Sequence, residues 1–154
     1  MKARAALGRR DFATANREIE AALRLAPESW EVNKDAATVF VWQHDYLKAL
    51  PFYQKCVALF PEDLHSWDII LMCYRALGDQ AAIRRNAEQM LIQAQAIVDR
   101  EPNNQHAYAR GANALVAIGD IAFFIADNNA VGIAIERDAD VGLFAAHNVT
   151  QHLW

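Results

Sequence analysis

The chain has 154 residues, 54% of them apolar and 22% charged, with a formal charge of −4. Those values describe one globular domain with a sizeable core rather than a disordered chain. They argue against a nucleic-acid binder, which would show a basic excess. No apolar run reaches the ~20 residues of a membrane span.

The opening Met1-Lys2-Ala3-Arg4 lacks the apolar core of a signal peptide. Cys56 and Cys73 form no C-x-x-C and fall on apolar faces, where buried, reduced thiols are expected. A cytoplasmic protein is the reading. Charge is uneven: residues 1–26 carry six basic and three acidic groups, and residues 120–154 carry one basic and five acidic.

Residues 11–25 place Phe12, Ala15, Ile19, Ala22, Leu23 and Leu25 mostly three or four apart, which predicts a helix with one buried face. Pro27 closes it, because proline disfavours helix at the preceding residue. Ser29 is placed to cap a helix from about Trp30 to Trp42 by accepting an orphan N–H of its first turn. His44-Asp45 makes the next turn, and a helix follows from Tyr46 to about Leu59. Pro51 inside it would cost ~3 kcal/mol if unrelieved, so a kink or a helix start near Pro51 is expected. After Pro61, Asp63 is the cap candidate. Trp67, Ile70, Leu71, Tyr74 and Leu77 then give an apolar face that ends at Gly78-Asp79.

The helix from about Gln80 overruns. Pro102 arrives seven residues late, which predicts two extra turns and an end near Arg100. Tyr108, Gly111, Ala112, Leu115 and Gly119-Asp120 repeat the layout of Trp67 through Asp79. Beyond Asp120, Val131, Ile133 and Ile135 alternate as a strand would, but repeat context predicts the second helix of a fourth unit. A closing helix is expected over about residues 139–153.

Pro27 and Pro61 are 34 residues apart, and Asp11-Phe12, Ala15, Ala22-Leu23 and Leu25 recur as Asp45-Tyr46, Ala49, Cys56-Val57 and Leu59. A period of that length marks a helix pair that cannot bury its apolar face alone and stacks on its neighbours. On these residues the chain resembles the tetratricopeptide repeat. The family's first-helix aromatics are matched by Trp67 and Tyr108 and by Phe40 and Tyr74. Its turn glycine is matched by Gly78 and Gly119 and replaced by Arg10 and His44. The resemblance covers about residues 5–120. It implies an all-α, right-handed superhelix of about four units (1–28, 29–62, 63–101 and 102–138) with eight to nine helices in one domain.

Tyr74-Arg75-Ala76-Leu77-Gly78-Asp79, the overlong helix and Ala112-Asn113-Ala114-Leu115 also look like the repeat regions that follow some bacterial class III adenylate cyclase domains. No cyclase catalytic domain is present, so this implies kinship of the repeat module and not nucleotide chemistry.

First helices of stacked pairs line a concave groove. Residues there that point away from the interhelix core are Glu31, Lys34, Thr38 and Trp42, then His65, Asp68, Met72 and Arg75, then His106, Arg110 and Asn113. That mixture suits a peptide or protein segment. Some members of the family clamp a peptide carboxylate with lysine, asparagine and arginine. Lys34 and Arg110 could stand at two such positions, but Thr38 and Ile69 occupy places where asparagine is wanted, so the clamp is incomplete.

His65 and His106 occupy equivalent places, ~10 Å apart by helix packing, too far to share a metal through bonds of about 2 Å. No metal or cofactor is expected. No G-x-S-x-G, P-loop or H-E-x-x-H pattern occurs, so the chain reads as a non-catalytic interaction module. Two alternatives stand beside it. One is a self-associating homodimer or scaffold using Phe123, Phe124, Leu143, Phe144 and Trp154, and the other is a detached regulatory segment of a signalling enzyme.

Overall fold

The computed structural model of the protein describes residues 2–119, 123–127 and 130–134. Seven helices are described: α1 (Lys2–Gly8), α2 (Phe12–Leu25), α3 (Trp30–Trp42), α4 (Tyr46–Leu59), α5 (Leu64–Leu77), α6 (Gln80–Arg100) and α7 (Gln105–Ile118). The chain divides into two units, Met1–Gln80 and Ala81–Trp154.

In the first unit the helices pack pairwise through small residues. One cluster joins Ala3, Ala6 and Leu7 of α1 to Ala15 and Ile19 of α2 and Ala36 and Val39 of α3. A second joins Ala37 of α3 to Ala49, Leu50, Tyr53 and Val57 of α4 and Ile70 and Cys73 of α5. Adjacent residues Ala36 and Ala37 thus serve different clusters, and both are fully buried. Phe40 and Phe52 stack at 5.7 Å beside the second cluster, an arrangement worth about 0.5–1.5 kcal/mol beyond area burial.

Side chains cap the starts as the sequence led one to expect. Ser29 accepts from the Val32 N–H, and Asp63 accepts from the Ser66 N–H. Asp11, Asp45 and Asn104 do the same for Thr14, Lys48 and Ala107. The turns between paired helices are copies of one another. In each, the N–H five residues on closes onto a helix carbonyl: Asp11 to Ala6, Asp45 to Phe40, Asp79 to Tyr74. This is the Schellman closure, and it needs a left-handed residue just before the closing N–H. Those residues are Arg10 (φ 57°), His44 (φ 58°) and Gly78 (φ 74°). For a side chain that conformation costs about 1–2 kcal/mol, and glycine escapes the cost.

One sequence expectation is narrowed and another needs correction. The helix carrying Pro51 starts at Tyr46 and runs unbroken to Leu59, so the proline does not begin it. It lies in the second turn and is exposed. The second change concerns residues after Asp120. In place of a second helix of a fourth unit, the described backbone forms an antiparallel pair, β1 (Phe123–Asp127) and β2 (Ala130–Ala134), with Ile125 opposite Gly132. The physical reason is the period of two at Val131 and Ile133, together with a run rich in β-branched and aromatic residues. The closing helix over 139–153 lies outside the described residues.

In the second unit α6 has 21 residues and ends at Arg100, two turns longer than the 14-residue α4. Its buried face includes Ile83, Ala87, Met90, Ala94 and Ile97. Helix α7 buries Ala107, Tyr108, Gly111, Ala112, Ala114 and Leu115.

Candidate functional site

On α3 the residues Glu31, Lys34, Thr38 and Trp42 share one stripe because three- and four-residue steps return to the same helix face. The structure gives them different roles. Lys34 Nζ lies 2.8 Å from Asp63 Oδ2 and 4.3 Å from the centroid of Trp30, with its side chain 18% exposed. Thr38 Oγ1 donates to the Lys34 carbonyl at 2.7 Å and lies 3.2 Å from Tyr53 Oη. Both are engaged in holding α3 to its neighbours. Glu31 is exposed and accepts from Ser29 Oγ at 2.8 Å. Trp42 keeps 53% of its surface exposed.

On α5, His65, Met72 and Arg75 are exposed and Asp68 is half-buried. In the second unit, His106 and Asn113 are exposed on α7 and Arg110 is half-buried. The side chains of Phe123 and Phe124, and all of Leu143, Phe144 and Trp154, lie outside the described residues.

The ion pair of Lys34 and Asp63 is the electrostatic centre of this face. Burial works against ionisation of Asp63, but hydrogen bonds from Lys34 and Ser66 outweigh it and hold the carboxyl below the usual carboxylate range. A second cross-helix pair ties Arg4 of α1 to Asp35 of α3 at 2.6 Å. Asn33, almost wholly buried, donates to the carbonyls of Pro27 and Ser29 at 2.9 and 2.7 Å and fixes the loop that enters α3. Burial, with the Asp63 carboxylate nearby, pushes the Cys56 thiol up to about 12, and burial pushes Cys73 up to about 11. Neither is a nucleophile at neutral pH.

A feature that the stripe alone does not reveal lies at the turn end of α3. Trp42 and Val41 face an open depression completed by Gln43, His44, Arg10 and Phe12. Gln43 is fixed there by a reciprocal amide pair with Asn16 of α2, at 2.9 and 3.3 Å, and by a bond to the Val39 carbonyl. The signal for this site was the loss of the turn glycine at Arg10 and His44. Among the described residues no three His, Cys, Asp or Glu side chains gather as a metal site would require. No described helix is long and apolar enough to cross a membrane.

Through Gly119, antiparallel helix pairs with repeated caps, left-handed turns and a 34-residue spacing between them define an all-α fold of the tetratricopeptide type. The chain is similar in structure to the Sgt2 TPR domain from Aspergillus fumigatus. The TM-score is 0.57 at 14% identity, over 92% of this chain and 89% of that one, a likeness that shows the fold. No family model matches the sequence, and no curated protein matches it.

Proposed function

We propose that this protein is a non-catalytic interaction module that holds a peptide or protein segment against its first-helix face, in a groove of the kind such repeats form. The observation that supports this best is the contrast along that face. Lys34 and Thr38 are spent on internal bonds, while Trp42 and Met72 remain 53% and 37% exposed with no core to enter. Large exposed aromatic and thioether side chains are characteristic of peptide-recognition surfaces. His65 and Arg75 flank them with polar and cationic groups. The buried free thiols suit a reducing compartment, and the cytoplasm remains our reading.

The test separates surface from scaffold. Peptides selected by phage display on the full chain would be measured by fluorescence anisotropy against W42A, M72A and R75A. All three variants should keep parental helicity and thermal midpoint while weakening binding at least fivefold. Selected peptides that bind all three as tightly as the parent would remove the groove assignment.

A further inference from the structure

The turn end of α3 carries an arrangement that the folding of the repeat does not require. Arg10 and His44 occupy the same repeat position as Gly78 and Gly119, and all four residues are left-handed. At Gly78 and Gly119 an added Cβ would meet nothing within 4 Å. The backbone alone therefore sets the preference for glycine, and a side chain at that position is tolerated at a conformational cost. In both places where glycine is absent, the side chain lines the same depression. Strain retained at two neighbouring turns that converge on one cavity is reason to look for a function.

The depression measures about 470 Å³, the size of ligand-binding clefts. Its walls are apolar at Phe12, Val41 and Trp42, and its rim carries Arg10 and His44. Among the described residues no carboxylate lines it. The two acids adjacent in sequence are committed elsewhere: Asp11 caps α2 through the Thr14 N–H, and Asp45 caps α4 and pairs with Lys48 at 2.7 Å. His44 Nδ1 lies 3.0 Å from Tyr46 Oη, which orients the ring and leaves Nε2 for another partner. Arg10 is exposed, and among the described residues no carboxylate shares the rim with it. Arginine binds carboxylates through two parallel N–H donors, and exposed tryptophan supplies a broad apolar contact.

We infer that this corner is an anchor site for a peptide segment that places an aspartate or glutamate beside a large apolar or aromatic side chain. The apolar side chain packs on Phe12, Val41 and Trp42, and the carboxylate pairs with Arg10 and is flanked by His44. This deepens the groove reading and rests on it, since Trp42 belongs to both surfaces.

Phage display of random 12-residue peptides on the full chain tests it. The selected pool should be enriched in an acidic residue within two positions of Leu, Phe or Trp. A synthetic peptide from that pool should lose at least tenfold in affinity to R10G, to H44G and to W42A. Because R10G and H44G relieve a strained turn, they should melt no lower than the parent, so weaker binding cannot be ascribed to unfolding. R10E should in turn favour a peptide whose acidic residue is changed to lysine. A pool without acidic enrichment, or unchanged affinity in R10G and H44G, overturns the anchor site. If those variants bind normally while M72A and R75A do not, the groove stands and only the anchor is lost. If no peptide is selected at all, both fall.

Discussion

Removing the Asp63 carboxylate should be the most damaging single change to a polar group in the first unit. Asp63 caps α5 through the Ser66 N–H at 3.2 Å, accepts from Ser66 Oγ, and pairs with Lys34 at 2.8 Å, with its own side chain 7% exposed. Loss of the cap costs about 1 kcal/mol, and loss of a charge-assisted bond from a largely buried lysine about 1.5–3 kcal/mol. D63A should therefore lose roughly 2.5–4 kcal/mol. D63N keeps a cap acceptor without the charge and should lose about half of that. With a urea m-value of about 2 kcal/mol/M, D63A moves the midpoint down by about 1.2–2 M. Circular dichroism and tryptophan fluorescence in a urea series measure it directly. A double-mutant cycle with K34M isolates the pair, with an expected coupling of about 1–3 kcal/mol. A midpoint for D63A within about 0.5 M of the parent, or zero coupling, would refute the reasoning. The pair also sets a pH signature. The folded pKa of Asp63 is depressed, so its contribution is fully present above the unfolded value near ~3.9 and is lost as pH falls through the folded value. The gap between the parent and D63N should accordingly narrow in acid, below about pH 4.

Four further outcomes follow from the packing and the turns. G78A should destabilise by about 1–2 kcal/mol, wholly through the left-handed backbone, since its methyl group meets nothing. H44G should be neutral or stabilise by up to about 1 kcal/mol, the relief of strain being offset by glycine's greater chain entropy. Leu71, fully buried in α5, should cost about 2–5 kcal/mol on replacement by alanine in the same urea assay. Cys56 and Cys73 should resist a thiol reagent at pH 8 in the folded protein and react together on unfolding; rapid labelling without denaturant would contradict their burial and raised pKa values.

The helices were legible wherever a local device marked them. Ser29 and Asp63 announced caps, Pro27, Pro61 and Pro102 announced ends, and the late proline announced the length of α6. The candidate site was legible only as a stripe. That Lys34 is held by Asp63, 29 residues away, and that Arg10 and Phe12 line one depression with the distant Trp42, depends on stacking that no local pattern encodes. The replacement of glycine at Arg10 and His44 was visible, but its meaning needed the turn geometry. After Asp120 two periodicities competed, and repeat context favoured the one the backbone does not adopt.

The length of α6 has a consequence for how the chain can vary. Its buried positions Ile83, Ala87, Met90, Ala94 and Ile97 step by four and three in turn, so the apolar seam repeats every seven residues. The seven residues that separate α6 from the 14-residue α4 therefore amount to one whole period. They advance the helix by about 10 Å while turning its exit by only about 20°. An insertion of five residues would instead have turned the exit by about 140° and swung the seam away. A whole-period step thus changes how far the next helix is delivered while nearly preserving the direction in which it is handed on.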